Sequence, residues 1–374
     1  MIYENHHNDK DTKARAGVLH LPHGDVLTPM FMPVGTNANV KAILHKDVKA
    51  LGYNLILGNT YHLYLRSSQS LLKKFGGLHG FSNWNGNILT DSGGFQIFSL
   101  ADFRKIKEEG VKFRSHIDGS YHLFTPENVV EFQTLLNSDI QMVLDVCSPY
   151  GIEEKKAYSA LVTTTKWAKR AKAQYEFAKA NGYKGYLFGI IQGNFYKELR
   201  SISANELLAL DFPGYAIGGL SVGEPHELYS EFLSYTANFL PSNKPRYLMG
   251  IGTPEYILEA VENGIDIFDC VFPTRIARNG SLFTSNGIIA IKKAIYKDDE
   301  SPIDMGCDCL TCKGYSKGYL HQMVKSNEIM GSMLATIHNL AFMKNFIHKM
   351  RLAILEDRFS SFKKEFLENY RQKE

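Results

Sequence analysis

Residues 185–220 read GYLFGIIQGNFYKELRSISANELLALDFPGYAIGGL. Two short, continuous apolar runs, 185–193 and 214–220, flank a stretch at 195–210 whose apolar residues recur with helical spacing. A run that is apolar on both faces suits a strand covered on both sides, and a helix between two such strands is the crossover of a parallel pair. The unit recurs along the chain. MFMPVG (30–35), NLILGN (54–59), NILTDSGG (87–94), IQMVLDV (140–146), RYLMGIG (246–252) and IDIFDCV (265–271) bring the runs to eight, with further helical spacing at 126–138, 152–180, 224–239 and 254–263. Two of those helices open on Thr-Pro-Glu, with threonine as N-cap and proline at the first helical position. Eight alternating units in 374 residues predict an α/β protein built on a (β/α)₈ barrel. The rival is an open doubly wound sheet, and no GxGxxG opens the first helix to support it.

Two stretches depart from the repeat. Residues 17–29 and 111–124 read as hairpins covering the barrel, the second around an Asp-Gly turn. The predicted plan is a single catalytic unit over 1–374. It comprises a barrel with an N-terminal hairpin (1–274), a metal-binding subdomain (275–340) and a C-terminal helix packed on it (341–374).

Composition narrows the class: 44% hydrophobic and 22% charged residues, a mean hydropathy of −0.21, and no apolar run long enough to span a bilayer. The N-terminal MIYENHHNDKDTKARAG carries charges without a following apolar core, so nothing directs secretion and the expected compartment is the cytoplasm. A net charge of +3 permits nucleic-acid binding without demanding it, because binding depends on where the charges cluster.

Three of the five cysteines fall in Cys307-Asp-Cys309-Leu-Thr-Cys312, and His338 follows. Thiolates this close repel one another unless a cation neutralises them, and three sulfurs with one imidazole make a tetrahedral zinc set. A fourth protein ligand leaves no position to activate water, so one structural Zn²⁺ per chain is expected and the chemistry belongs elsewhere.

In a barrel the C-terminal ends of the strands converge on one mouth, where active sites form. Those ends read Asp91-Ser92-Gly93-Gly94-Phe95, Asp145-Val146-Cys147, Gln192-Gly193, Gly218-Gly219-Leu220, Met249-Gly250 and Asp269. Taken singly, Asp91 could close an Asx turn, Asp145 and Asp269 could cap helices, and Gln192 could be a satisfied core amide. Burying three carboxylates at one rim costs several kcal/mol each before compensation, which points to a shared task. One carboxylate can attack an anomeric carbon while another exchanges protons with the leaving and entering groups. A third, with Gln192 and glycine N–H groups, can read a purine that carries donors and acceptors, between Phe95 and Met249.

LTDSGGFQIFSL, MVLDVCSPY, FGIIQG, AIGGLSVGE, YLMGIGTPE and DIFDCVFPTRIARNG, in this order with the cysteine–histidine set, resemble the bacterial tRNA-guanine transglycosylase family over nearly the whole chain. The resemblance implies a zinc-bearing (β/α)₈ barrel that exchanges the wobble guanine of GUN-anticodon tRNAs for a 7-deazaguanine on the way to queuosine, by double displacement through a covalent enzyme–tRNA intermediate. It implies Asp269 as nucleophile and Asp91 as general acid/base, with Asp145, Gln192, Gly219, Leu220 and Gly250 on the base and Phe95 and Met249 flanking it. Cys147 and Val222 match the bacterial pattern that admits 7-aminomethyl-7-deazaguanine (preQ1), and Glu224 matches a residue that steers a backbone peptide between guanine and preQ1 orientations. Phe95 stands where other bacterial members often carry tyrosine, which keeps stacking and loses a hydroxyl. Arg275 and Arg278 would meet anticodon-loop phosphates, with Lys292 and Lys293 adding charge. Cys307, Cys309, Cys312 and His338 would hold the zinc, and the resemblance implies a homodimer.

Overall fold

The computed structural model describes residues 2–100 and 103–370. Its centre is an eight-stranded parallel sheet: Met30–Pro33, Leu55–Gly58, Asn87–Thr90, Ile140–Met142, Tyr186–Ile191, Gly214–Ile217, Arg246–Leu248 and Ile267–Cys270, here numbered as barrel strands one to eight. Each neighbour in sequence is a neighbour in space, and strand eight pairs with strand one, Ile267 opposite Met30. Strands one and two meet through a parallel bridge between Val34 and Leu57, with the Gly35 N–H donating to Leu57 O at 2.7 Å, and so the ring closes. Strands one to four and six are buried at every position, as continuous apolar runs require when helices cover the outside and side chains fill the inside. Outer helices include Pro126–Leu135, capped by Thr125 and Asn128 in a reciprocal box, and Glu154–Ala180, Lys197–Leu208, His226–Ala237 and Pro254–Glu262.

The predicted hairpin at 17–29 is two strands of a three-stranded antiparallel sheet, Tyr3–Asn8, Arg15–Leu19 and Val26–Thr28. It covers the N-terminal end of the barrel, where Arg15 binds Asp266 just ahead of strand eight. The predicted hairpin at 111–124 also gains a strand. Val111–Arg114 pairs with Tyr121–Phe124 on one side and with the exposed edge Arg104–Ile106 on the other, over a cluster of Tyr61, Phe113, Phe124 and Trp167.

Past strand eight come a short helix, Phe272–Arg278, a hairpin, Ser281–Thr284 with Gly287–Ala290, and the cysteine-rich loop. The predicted boundary at residue 341 falls inside a helix. Ile329–Leu355 is one 27-residue element carrying His338, and a turn with Asp357 at φ 54° separates it from a second helix, Phe359–Tyr370. It is buried on nearly every side from Leu334 to Ala341, wedged between the hairpin after strand eight and the N-terminal sheet. Residues 371–374 of the predicted terminal helix lie outside the described residues.

Candidate functional site

Strand ends three, four and eight bring Asp91, Asp145 and Asp269 to the mouth. Asp91 follows strand three directly. Its carboxylate accepts from the Asn59 side-chain amide at 2.6 Å and from the Thr60 N–H at 2.8 Å, both at the end of strand two. Burial pushes its pKa up to about 7; the Thr60 N–H opposes this, and the nearby Asp269 and Asp145 charges add to it. Such an acid keeps its proton to near neutrality and can give it up or take it back.

Asp145 lies three residues beyond the last pairing of strand four. It accepts from Gln192 Nε2 at 2.7 Å and Ser92 Oγ at 3.2 Å, and burial raises its pKa against those two donors. Gly94 permits this packing: a Cβ there would stand 2.7 Å from Asp145 O and 3.0 Å from its Oδ1. Gln192 in turn packs against the two glycines just past strand six. A Cβ on Gly218 would meet its Nε2 at 2.7 Å, and one on Gly219 would meet its Oε1 at 2.6 Å.

Asp269 lies in strand eight and stays partly open to the mouth. Oδ1 accepts from the hydroxyl of fully buried Tyr247 at 2.5 Å and from the Gly250 N–H at 2.8 Å, so that amide faces the carboxylate. Burial raises the pKa of Asp269 and these two donors oppose it. Among the described residues none of the three carboxylates forms an ion pair; all their partners are neutral.

Phe95, half exposed, opens the helix Gly94–Leu100, and Met249 packs on the core just past strand seven. The Cys147 thiol is pushed up to about 12, chiefly by burial with the Asp145 charge adding, and so stays protonated. Leu220 is buried, and the following turn is held by Glu224, which accepts from the Ser221 N–H at 2.5 Å and the Val222 N–H at 2.7 Å. Arg275 and Arg278 lie on the helix after strand eight. Arg275 is exposed, and Arg278 is half-buried with Nη1 donating to Thr274 O at 2.7 Å.

The sequence assigns no role to Tyr247, Asn59 or Thr60, and it places Ser92 at the strand-three end without one. Asn59 closes the NLILGN run as a polar residue at a strand end, the same signal that picked out Asp91. Tyr247, inside an apolar strand, has no such signal.

Away from the mouth, Cys307, Cys309 and Cys312 place their sulfurs 3.8, 3.7 and 3.3 Å from His338 Nδ1, and the four atoms lie within 4.8 Å of one another. Tetrahedral zinc with its usual bond lengths separates sulfur from nitrogen by about 3.6 Å, so the donor set fits that ion. His338 Nε2 lies 2.6 Å from Phe283 O, which assigns the ring proton to Nε2 and leaves the Nδ1 lone pair facing the sulfurs. All five cysteines are free thiols.

A family model described as queuine tRNA-ribosyltransferase matches residues 9–372. Proteins named queuine tRNA-ribosyltransferase are 55% identical to this chain in Borrelia hermsii over 363 residues, and 54% identical in Caldanaerobacter subterraneus over 362 and in Treponema denticola over 364. Each alignment covers 97% of this chain and 96% of the relative.

Proposed function

Since the chain belongs to the queuine tRNA-ribosyltransferase family, we propose that it is a tRNA-guanine transglycosylase that replaces the wobble guanine of GUN-anticodon tRNAs with preQ1. The observation that carries the reading is the pair Asp269 and Asp91: a partly open carboxylate held by neutral donors, beside a buried acid that keeps its proton to about pH 7.

Asp269 attacks C1′ of the ribose, and the C1′–N9 electron pair passes to the purine, which takes a proton from Asp91. The ribose is then esterified to Asp269 and guanine departs. When preQ1 enters, Asp91 accepts its N9 proton, N9 attacks C1′, and Asp269 is released, with the sugar configuration retained after two inversions. Asp145 and Gln192 pair with the guanine-like edge, the Gly219 and Leu220 amides meet its oxygen, and Phe95 and Met249 flank the ring. The Ser221 N–H points at Glu224, so the Leu220 carbonyl of that peptide points the opposite way. That carbonyl suits an ammonium donor on the base, and a turned peptide would suit guanine. Val222 and Cys147 border the 7-substituent, and their bulk favours the aminomethyl group of preQ1 over a larger one.

Arg275 and Arg278, with Lys292 and Lys293, would meet anticodon-loop phosphates. Cys307, Cys309, Cys312 and His338 would hold one structural Zn²⁺, which staples the loop at 307–312 to the helix Ile329–Leu355 and leaves no coordination position for substrate. The whole chain would work as one catalytic unit and pair as a homodimer, a reading supported by exposed apolar side chains around that site: Met305, Leu310, Tyr319 and Ile329. No described helix is long and apolar enough to cross a membrane. A tRNA substrate supports the cytoplasm as the site of the work.

The test is incorporation of labelled preQ1 into an unmodified tRNA with a GUN anticodon, beside the same tRNA with adenine at the wobble position. Label in the guanine-bearing tRNA alone is the expected result. No label, with zinc bound and the protein folded, overturns the reading.

A further inference from the structure

Arg200, on the helix Lys197–Leu208, is completely buried, yet no carboxylate among the described residues reaches its guanidinium. Its donors go to four backbone carbonyls at the ends of strands five and six. Nε donates to Asn194 O at 2.8 Å, Nη1 to Gly218 O at 2.7 Å and Ile191 O at 3.3 Å, and Nη2 to Gly219 O at 3.2 Å. Burial pulls its pKa down to about 10, so the charge persists at neutral pH. The Glu224 charge favours it from a distance without pairing with it, and tying two strand ends together calls for no charge.

The carbonyl pattern says what the charge can do. In a trans peptide the C=O and the next N–H point in opposite directions. With the carbonyls of Gly218 and Gly219 both drawn to Arg200, the N–H groups of Gly219 and Leu220 both face away from it. Consecutive amides reach one side only where the residue between them leaves the extended conformation, and Gly219 does so at φ 67°. Neither N–H finds an acceptor among the described residues, although Leu220 is buried. Glu224 holds the other end of the turn through the Ser221 and Val222 amides. A cation grips the carbonyls and an anion grips the amides, and between them two free donors are left for a ligand.

We infer that Arg200 is a positioning residue for base recognition: through the carbonyls of Gly218 and Gly219 it locks a two-amide nest, formed by Gly219 and Leu220, onto the 6-oxo group of the purine. This rests on the transglycosylase reading. The positive charge behind the two peptides also polarises their N–H groups toward an oxygen that gains negative charge as the C1′–N9 bond breaks. The role belongs to one atom of the substrate, and that makes it separable from general support of the fold.

The experiment uses labelled guanine exchange into tRNA, with 2-aminopurine, which lacks the 6-oxo group, as competitor. Arg200→Met and Arg200→Lys are compared with the native protein after circular dichroism and zinc content have established that they fold. The KM for guanine should rise about tenfold and kcat should fall, while the inhibition constant of 2-aminopurine changes less than twofold. The preference for guanine then shrinks about tenfold. A parallel loss for both bases, or an unchanged preference, overturns the assignment and leaves Arg200 as scaffold. Should Arg200→Met fail to fold, Arg200→Lys decides the question, since it keeps the buried charge but cannot span both carbonyls in the fixed geometry of a guanidinium. Native protein that exchanges no guanine would instead remove the underlying reading.

Discussion

Asp266 and Asp269 stand three residues apart at opposite ends of one barrel strand. Asp266, at the N-terminal end, is fully buried and gripped by Arg15, whose Nε and Nη2 lie 2.9 and 2.6 Å from its two oxygens, while the Arg246 N–H adds a third bond at 2.7 Å. Asp269, at the mouth, has a tyrosine hydroxyl and a glycine N–H. The fourth strand repeats the contrast. Asp139, just before it, lies 2.6 Å from His23 Nδ1 and 3.1 Å from His79 Nε2, whereas Asp145, just past it, has only Gln192 and Ser92. At the N-terminal end of the strands each of these buried carboxylates has a cationic or protonatable partner. At the mouth the partners are neutral, which in the proposed reaction would leave nucleophilicity and proton affinity available to a substrate.

If that contrast is right, the two ends should fail in different ways. Asp269→Asn keeps the shape and the neutral donors, so stability should change little, while base exchange should fall by about 10³-fold or more for loss of the proposed nucleophile. Substantial residual exchange in a quench-flow assay would move the covalent role to another acid. Asp266→Ala should do the reverse: it strands a buried guanidinium and costs about 3–5 kcal/mol in chemical denaturation, with little change in turnover per folded molecule at a temperature where the variant remains native. A comparable loss of specific activity would show that the bottom of the barrel reaches the mouth.

Most of this arrangement can be read without coordinates, because continuous apolar strands announce themselves and a barrel sends all their C-terminal ends to one place. Each of the eight strands lies within its predicted run. Strand four shows what such reading misses. Its apolar run extends to Val146, but pairing in the ladder stops at Met142, and the next three residues bring Asp145 to the mouth. Tyr3–Asn8 is a strand of polar, mostly exposed residues without alternation, held by its neighbour rather than by its own pattern. Arg104–Ile106 is an exposed edge of the same kind. The donors that set the acids, Tyr247, Asn59 and Thr60, escape because a hydrogen bond between strands leaves no spacing in sequence. The ion pairs at the bottom escape for the same reason, as Arg15 and Asp266 are brought together only when the ring closes.

The subtlest way to separate the two ends is the sign of their pH dependence. Asp91 holds its proton to about pH 7 in the folded protein, while an unfolded aspartate releases it near 3.9. Between those values the native state binds more protons than the unfolded one, so this group makes stability fall as pH rises, by roughly 3–4 kcal/mol over the interval. Asp91→Asn removes the slope and should be the more stable protein above pH 7, though nearly inactive. Asp139 has the opposite sign. Burial alone would raise its pKa, but the hydrogen bonds from His23 and His79 outweigh it and hold the carboxyl below its ordinary value. Its contribution is present above the unfolded pKa and lost as pH falls through the folded one, so Asp139→Asn should weaken the protein at neutral pH and flatten the acid limb of its stability curve. His23, whose pKa its hydrogen bond to Asp139 raises against the opposing effect of burial, adds stability that is full below pH 6.5 and lost as pH climbs through the raised value. Urea midpoints of the native protein and both variants between pH 3 and 9 separate the two behaviours. Slopes of the same sign for the two aspartates would mean that mouth and base are not built on different electrostatic principles.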